Sequence, residues 1–247
     1  LIKDESKNPF GTFKDRRSEF IMQKAKENHV DTLVLITSGN AGYSLGRYCQ
    51  GTNIRIVNVI HKDLKKSIKE ELKKYAVCIE KDLSKRILKP EEVMALARKN
   101  EKEVVWDVTN GFDEAYEKII EEIKSENPRY IILPVGSGEA FVGLYKGIIK
   151  YKLKTKLIGL TVKDPRKSFA DKLYTLYTPY TSKMKSILEE GHKIMVLNEQ
   201  EIKQSYKEYK EKFDVEPSSA VVFAALSKIK CEKQDKIILI NSGKGLV

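Results

Sequence analysis

Short, mostly apolar runs recur along the chain, a few of them interrupted by a single polar or charged residue. The first is Thr32-Leu33-Val34-Leu35-Ile36; others span residues 54–60, 77–79, 104–108, 130–135, 157–162, 192–197 and 236–240. Continuous rather than alternating hydrophobicity predicts strands covered on both faces, as in parallel sheets. Between these runs, apolar residues return at helical spacing. Helices are predicted from Lys14 to about Asn28, and over residues 43–49, 64–75, 90–99, 112–125, 141–151 and 199–213, with an apolar helix opened by 216–220 and running to about 228. Pro90 suits a first helical position, where its missing N–H costs little. Asp113 and Glu114 suit a first turn, where the helix dipole favours anions. The alternation predicts an α/β fold built on mostly parallel sheets. Only residues 163–185, with Pro165, Pro179 and several Tyr and Thr, carry no period. They read as a loop-rich insertion, either a lining of the substrate entrance or a surface excursion.

Composition narrows the class. A chain of 247 residues, 41% hydrophobic and 33% charged, can bury a core as one large domain or two small ones. No apolar run approaches the ~20 residues of a membrane span, so no membrane partner is expected. No signal peptide opens the chain. It begins without Met, almost inside a motif, so residues before Leu1 are expected. The net charge is +11, but only eight of the 46 basic residues are arginine. Lysines alternate with glutamates over 65–74 and 199–212, the pattern of solvated helix faces rather than a nucleic-acid surface, and nucleic acid is not an expected partner. The surplus can instead attract an anionic substrate. Cys49, Cys78 and Cys231 form no C-x-x-C pair, which predicts buried or inert thiols in a reducing cytoplasm. His29, His61 and His192 lack metal-site spacing, so no metal is expected.

Four polar, glycine-bearing stretches carry the candidate chemistry. Near the start, Lys3-Asp4-Glu5-Ser6-Lys7-Asn8-Pro9-Phe10-Gly11-Thr12-Phe13-Lys14-Asp15-Arg16 reads as a turn and then a helix start that Thr12 can cap. A lysine in a first turn faces the positive end of the dipole, and burial adds to the penalty on its charge; a neutral amine is the nucleophile of Schiff-base chemistry. Thr37-Ser38-Gly39-Asn40-Ala41-Gly42 joins a strand to a helix, presenting backbone N–H groups to an anion. Gly136-Ser137-Gly138-Glu139-Ala140 does the same after residues 130–135. It is neither a dinucleotide fingerprint, since Phe141 stands where the last Gly is needed, nor a Walker A loop. The last strand ends in Asn241-Ser242-Gly243-Lys244-Gly245-Leu246.

In this order the stretches resemble the fold-type II pyridoxal-phosphate (PLP) enzymes, the tryptophan synthase β superfamily, and most closely its threonine synthases. The first is similar to K-x-E-x-x-N-P-T-G-S-F-K-D-R, with Phe10 replacing the first Thr and Thr12 the Ser. The resemblance implies an α/β architecture of two three-layer αβα domains with mostly parallel sheets. Residues 1–28 and 110–247 would form the larger, PLP-binding domain and 29–109 a smaller mobile one. It implies that Lys14 forms the Schiff base with PLP and is the catalytic base, and that Asn40 meets the 3′-oxygen of the cofactor. Thr37, Ser38, Gly39, Asn40 and Ala41 would surround the substrate carboxylate. Gly136, Ser137, Gly138, Glu139 and Ala140 would bind the phosphate. Glu139 departs from the family, which commonly has a small residue there; a carboxylate beside a phosphate is repulsive unless it binds another group. Ser242 would meet the pyridine nitrogen, and a neutral hydroxyl there favours elimination and replacement over transamination. The Glu-Pro-Ser-x-Ala stretch from Glu216 also looks like the family and reads as packing. The implied function is a PLP-dependent lyase or replacement enzyme acting on a small amino acid, cytoplasmic and homodimeric. The lysine motif favours a threonine synthase-like reaction, O-phosphohomoserine to threonine and phosphate. The Thr-Ser-Gly-Asn-Ala-Gly loop is more like cysteine synthases acting on O-acetylserine or O-phosphoserine. A threonine or serine dehydratase and a non-catalytic PLP-binding protein are the remaining alternatives.

Overall fold

The structure, a computed structural model, describes residues 1–164, 167–173, 175 and 178–246. Among these the strands are β1 (Ile2–Asp4), β2 (Thr32–Ile36), β3 (Arg55–His61), β4 (Val77–Lys81), β5 (Val105–Asp107), β6 (Tyr130–Pro134), β7 (Lys156–Val162), β8 (Lys193–Leu197) and β9 (Ile237–Asn241). The helices are α1 (Lys14–Glu27), α2 (Asn40–Tyr48), α3 (Lys66–Lys73), α4 (Pro90–Ala97), α5 (Glu117–Ile123), α6 (Glu139–Lys150), α7 (Thr181–Glu189), α8 (Glu199–Tyr209) and α9 (Pro217–Ala224). The chain forms two compact units, one of residues Leu1–Phe13 with Asp113–Gly245, the other of Lys14–Phe112 with the last residues from Leu246.

The first unit holds a five-stranded sheet in the order β1-β9-β6-β7-β8, parallel throughout. Successive strand side chains point to opposite faces, and both faces are apolar. Ile131 and Leu133 pack with Tyr116, Ile119, Phe141 and Leu144 under α5 and α6. Ile132, Ile158, Leu160 and Leu239 pack with Ile202, Ala220 and Val221 under α8 and α9. This is why β6 reads as an unbroken apolar run. The second unit holds a four-stranded parallel sheet in the order β4-β3-β2-β5. Leu33 and Leu35 meet Ile21, Ala25 and Leu45 of α1 and α2 on one face. Val34, Val57 and Val59 meet Val93 and Ala97 of α4 on the other. Each unit is thus an α/β sandwich with helices on both faces of a parallel sheet. No helix among the described residues is long and apolar enough to cross a membrane.

Several elements differ from the sequence reading. β1 has only three residues and no apolar run of its own; pairing of Ile2 with Leu239 and Asp4 with Asn241 makes it a strand. α7 begins inside the aperiodic stretch and runs past its end, with Ile187 as its one buried residue. The predicted helix over 112–125 is divided into a 3₁₀ turn (Asp113–Tyr116), α5 and a second 3₁₀ turn (Lys124–Glu126) that ends at Asn127 in the left-handed region, φ 44°. α1 groups with the second unit because its buried face packs on α2, so residues 14–28 fall outside the unit that holds residues 113–245. Cys231 is exposed, contrary to the buried or inert thiols expected, because it lies on the loop before β9; Cys49 is buried.

Candidate functional site

In the first unit, β6 runs into a glycine turn and then α6. Gly138 is the N-cap, with φ 86°, a conformation that glycine alone adopts without strain. A Cβ there would lie 2.4 Å from Met184 Sδ, and one at Gly136 would lie 3.2 Å from the Lys172 carbonyl. Only glycine lets Met184 and the Lys172 carbonyl pack this close to the turn that opens α6, whose first amides have no partner within the helix. The Thr178 hydroxyl donates to the Ser137 carbonyl. Glu139, 2% exposed, begins α6. The Tyr180 hydroxyl lies 3.4 Å from both Glu139 Oε1 and Asp113 Oδ1, and Lys146 Nζ lies 2.6 Å from Asp113 Oδ2. The carboxylate that departs from the family pattern is thus engaged by a buried phenol, beside a lysine that compensates the neighbouring acid.

The last turn follows β9, the immediate parallel neighbour of β6, so Ser242 and the glycine turn stand at the carboxyl ends of adjacent strands. Ser242 is buried, its Oγ 2.6 Å from Ser219 Oγ of α9. Its carbonyl accepts the Phe13 N–H at 2.8 Å and the Thr12 hydroxyl at 3.4 Å, and the Lys244 N–H donates to the Gly11 carbonyl at 3.0 Å. The residues before Lys14 are therefore stitched to the turn that carries Ser242, with Thr12 and Gly243 forming an antiparallel bridge. Gly243 permits this approach, since a Cβ there would sit 2.7 Å from the Gly11 carbonyl. Glu5 is fully buried. It accepts Asn8 Nδ2 at 2.7 Å, and the same amide donates to the Thr12 carbonyl at 3.1 Å. Glu5 and Asn8 thus serve the motif by shaping the loop ahead of the lysine. Sequence reading missed this wiring, and also Asn241, whose Nδ2 donates to Asp4 Oδ1 at 2.7 Å and to the Asp214 carbonyl at 3.1 Å.

In the second unit, Lys14 is the first residue of α1. The next turn of that helix is held to α2, with Ser44 Oγ 2.6 Å from Asp15 Oδ1 and 2.8 Å from Ser18 Oγ, all three buried. The 37–42 turn is braced from within. Thr37 Oγ1 accepts the Gly39 N–H at 3.1 Å and the Gly42 N–H at 3.2 Å, while Ser38 is exposed and Asn40 and Ala41 are half-buried. Asn58 lies beneath the turn, fully buried, and a Cβ on Gly42 would come within 2.5 Å of its Oδ1. Its signal in the sequence is one amide inside the apolar run Ile56-Val57-Asn58-Val59-Ile60. Burial, with Asp15 and Glu19 adding to it, pushes the Tyr48 phenol at the end of α2 up to about 12, so it stays neutral.

The donor set of the first unit suits a phosphate ester on the amides that open a 12-residue helix, and a ring nitrogen on a neutral hydroxyl. Among the described residues no group of three His, Cys, Asp or Glu side chains is placed to hold a metal ion. No curated protein matches the sequence. Solved structures do match the fold. An aspartate racemase described as pyridoxal 5'-phosphate-dependent superposes with TM-score 0.82 at 17% identity, over 100% of this chain and 84% of its own. Maize serine racemase gives TM-score 0.80 at 18% identity, over 100% and 83%. The O-acetylserine-dependent cystathionine β-synthase of Helicobacter pylori gives 0.77 at 17% identity, over 96% and 83%. The family described as pyridoxal-phosphate dependent enzyme matches residues 1–243, which takes in all four motif stretches up to Gly243. The match runs over nearly the whole chain, and the chain belongs to the fold-type II pyridoxal-phosphate-dependent enzymes, with PLP as its cofactor.

Proposed function

We propose that this enzyme carries out elimination and replacement at the β or γ carbon of a small amino acid, by a threonine synthase-like reaction that turns O-phosphohomoserine and water into threonine and phosphate, phosphate leaving from Cγ and the hydroxyl of water adding at Cβ. The observation that carries the reading is Ser242, a neutral hydroxyl buried against a second hydroxyl on a turn hydrogen-bonded to the residues before Lys14. When bound, PLP supplies the sink for the electron pair left at Cα. Lys14 is its covalent anchor. With the cofactor bound, Lys14 Nζ would be the base that takes the Cα proton and returns a proton to the carbon skeleton. Thr37, Ser38, Gly39, Asn40 and Ala41 surround the substrate carboxylate, and Thr37 also braces the turn by accepting the Gly39 and Gly42 N–H groups, its own O–H proton remaining to donate. Asn40 also orients the cofactor ring. The amides of 136–140 hold the cofactor phosphate, the Glu139 carboxylate being engaged by Tyr180. A hydroxyl partner leaves the ring nitrogen largely unprotonated, which suits elimination over transamination. The Thr-Ser-Gly-Asn-Ala-Gly turn supports a second reading, a cysteine synthase-like replacement on O-acetylserine or O-phosphoserine.

The test is the visible spectrum of the protein given PLP. The expected result is a band that borohydride removes, leaving reduced PLP on Lys14, and that Lys14→Ala lacks. O-phosphohomoserine should then yield threonine and inorganic phosphate. Cysteine formed only with sulfide would select the second reading. Ammonia plus a keto acid from threonine or serine would mark a dehydratase, and PLP bound without turnover of any of these would mark a binding protein.

A further inference from the structure

We infer that Ser219 is a positioning residue for the cofactor, which orders the proton of Ser242 so that Ser242 donates to the ring nitrogen. The inference rests on the role proposed for Ser242. Ser219 lies in the third position of α9, in the Glu216-Pro217-Ser218-Ser219 stretch that sequence reading assigns to packing. It is fully buried, and its Oγ stands 2.6 Å from Ser242 Oγ, a short distance for two neutral hydroxyls. The pair is held from both sides. The Glu216 N–H donates to the Gly243 carbonyl at 3.1 Å, the Ser219 N–H donates to the Glu216 carbonyl at 2.9 Å, and the Gly243 N–H donates to Asn241 Oδ1 at 3.2 Å. The start of α9 and the last turn are thus one hydrogen-bonded block, and neither hydroxyl can drift from the other.

Two hydroxyls in contact share one proton along the bond, which leaves one proton to give elsewhere. If Ser242 donates to Ser219, it can only accept from the ring, which fits a protonated nitrogen. If Ser219 donates to Ser242, the Ser242 proton is free for an unprotonated nitrogen, and the bond arriving at its oxygen strengthens that donation. On the unprotonated ring that elimination needs, Ser242 must donate to the nitrogen, and Ser219 is then the donor that completes the pair.

The experiment uses PLP labelled with ¹⁵N in the ring, bound to wild type, Ser242→Ala, Ser219→Ala and the near-isosteric Ser219→Cys. It reads the ring-nitrogen shift by NMR, the rate of cofactor loss to a scavenger, and the melting temperature. Ser242→Ala should move the nitrogen signal furthest towards the unbonded position. Ser219→Ala should move it part of the way and Ser219→Cys less, with cofactor loss roughly three- to tenfold faster for Ser219→Ala and melting temperatures close to wild type. If Ser242→Ala moves the signal and neither Ser219 variant does, the inference is overturned while the Ser242 role stands. If Ser242→Ala leaves the signal in place, or wild type takes up no PLP, both fail. Should Ser219→Ala not fold, the Ser219→Cys signal decides, an unmoved nitrogen overturning the inference.

Discussion

Gly138 shows how much at this site depends on single atoms. Its φ of 86° strains any side chain, and a notional Cβ would lie 2.4 Å from Met184 Sδ, so the Met184 side chain would have to swing aside. Gly138→Ala should cost about 1–3 kcal/mol through backbone strain and contact and weaken PLP binding; a urea melt and a PLP titration check both. The same scale governs the thiols. Burial pushes the Cys49 thiol up to about 12, whereas Cys231 is exposed. A thiol reagent at pH 8 should modify Cys231 first and reach Cys49 only after unfolding, because the thiolate is the reactive form; mass mapping of the labelled peptides reads the order. C-x-x-C spacing is visible in a sequence, but exposure is a property of packing. Asn58 was legible only as an oddity, one amide in an apolar strand. That it lies under Gly42 follows from the register that pairs β3 with β2.

At the scale of elements, small residues and buried acids set how helices and strands meet. Gly143 lets α6 lie against the 3₁₀ turn before α5, since a Cβ would come 2.1 Å from the Asp113 carbonyl. Backbone cannot yield as a flexible side chain does, so Gly143→Ala should destabilise by about 1–3 kcal/mol, readable as a lower melting temperature. In the other unit, Glu103 joins three elements. It accepts the Thr32 hydroxyl of β2 at 2.6 Å, Arg55 of β3 at 2.8 Å and the Lys99 N–H after α4 at 2.5 Å. These bonds, that from Thr32 foremost, lower its carboxyl to about 2. A depressed carboxyl contributes stability above its unfolded value, about 4.3, and loses it as pH falls towards the folded one. Glu103→Gln should therefore be less stable than wild type above about pH 5, with the gap closing as the pH approaches the folded value; urea midpoints across that range test the sign. The strands were legible because burial on both faces leaves an unbroken apolar run. β1 and α7 were not, because β1 depends on pairing with β9 and α7 buries a single side chain.

At the scale of the whole molecule, cofactor binding and folding are linked. PLP at about one hundred times its Kd should stabilise the native state by about 2.7 kcal/mol, and differential scanning calorimetry should show a rise that Lys14→Ala reduces. The parallel α/β architecture, the positions of the four turns and the membership of a PLP-dependent family were legible in the sequence alone. Hydrophobic period and local turn residues act over a few neighbouring positions, and the motifs are themselves local. Only the tertiary structure decided that Glu5 and Asn8 shape the loop before Lys14, that Thr37 braces its own turn, that Tyr180 engages Glu139, and that Ser219 meets Ser242. The Tyr180–Glu139 and Ser219–Ser242 contacts join residues far apart in the chain, and the local ones turn on where a particular donor or acceptor points. A hydrogen bond needs its partners within about 3 Å and aligned, and only the packed sheets and helices bring them to that distance.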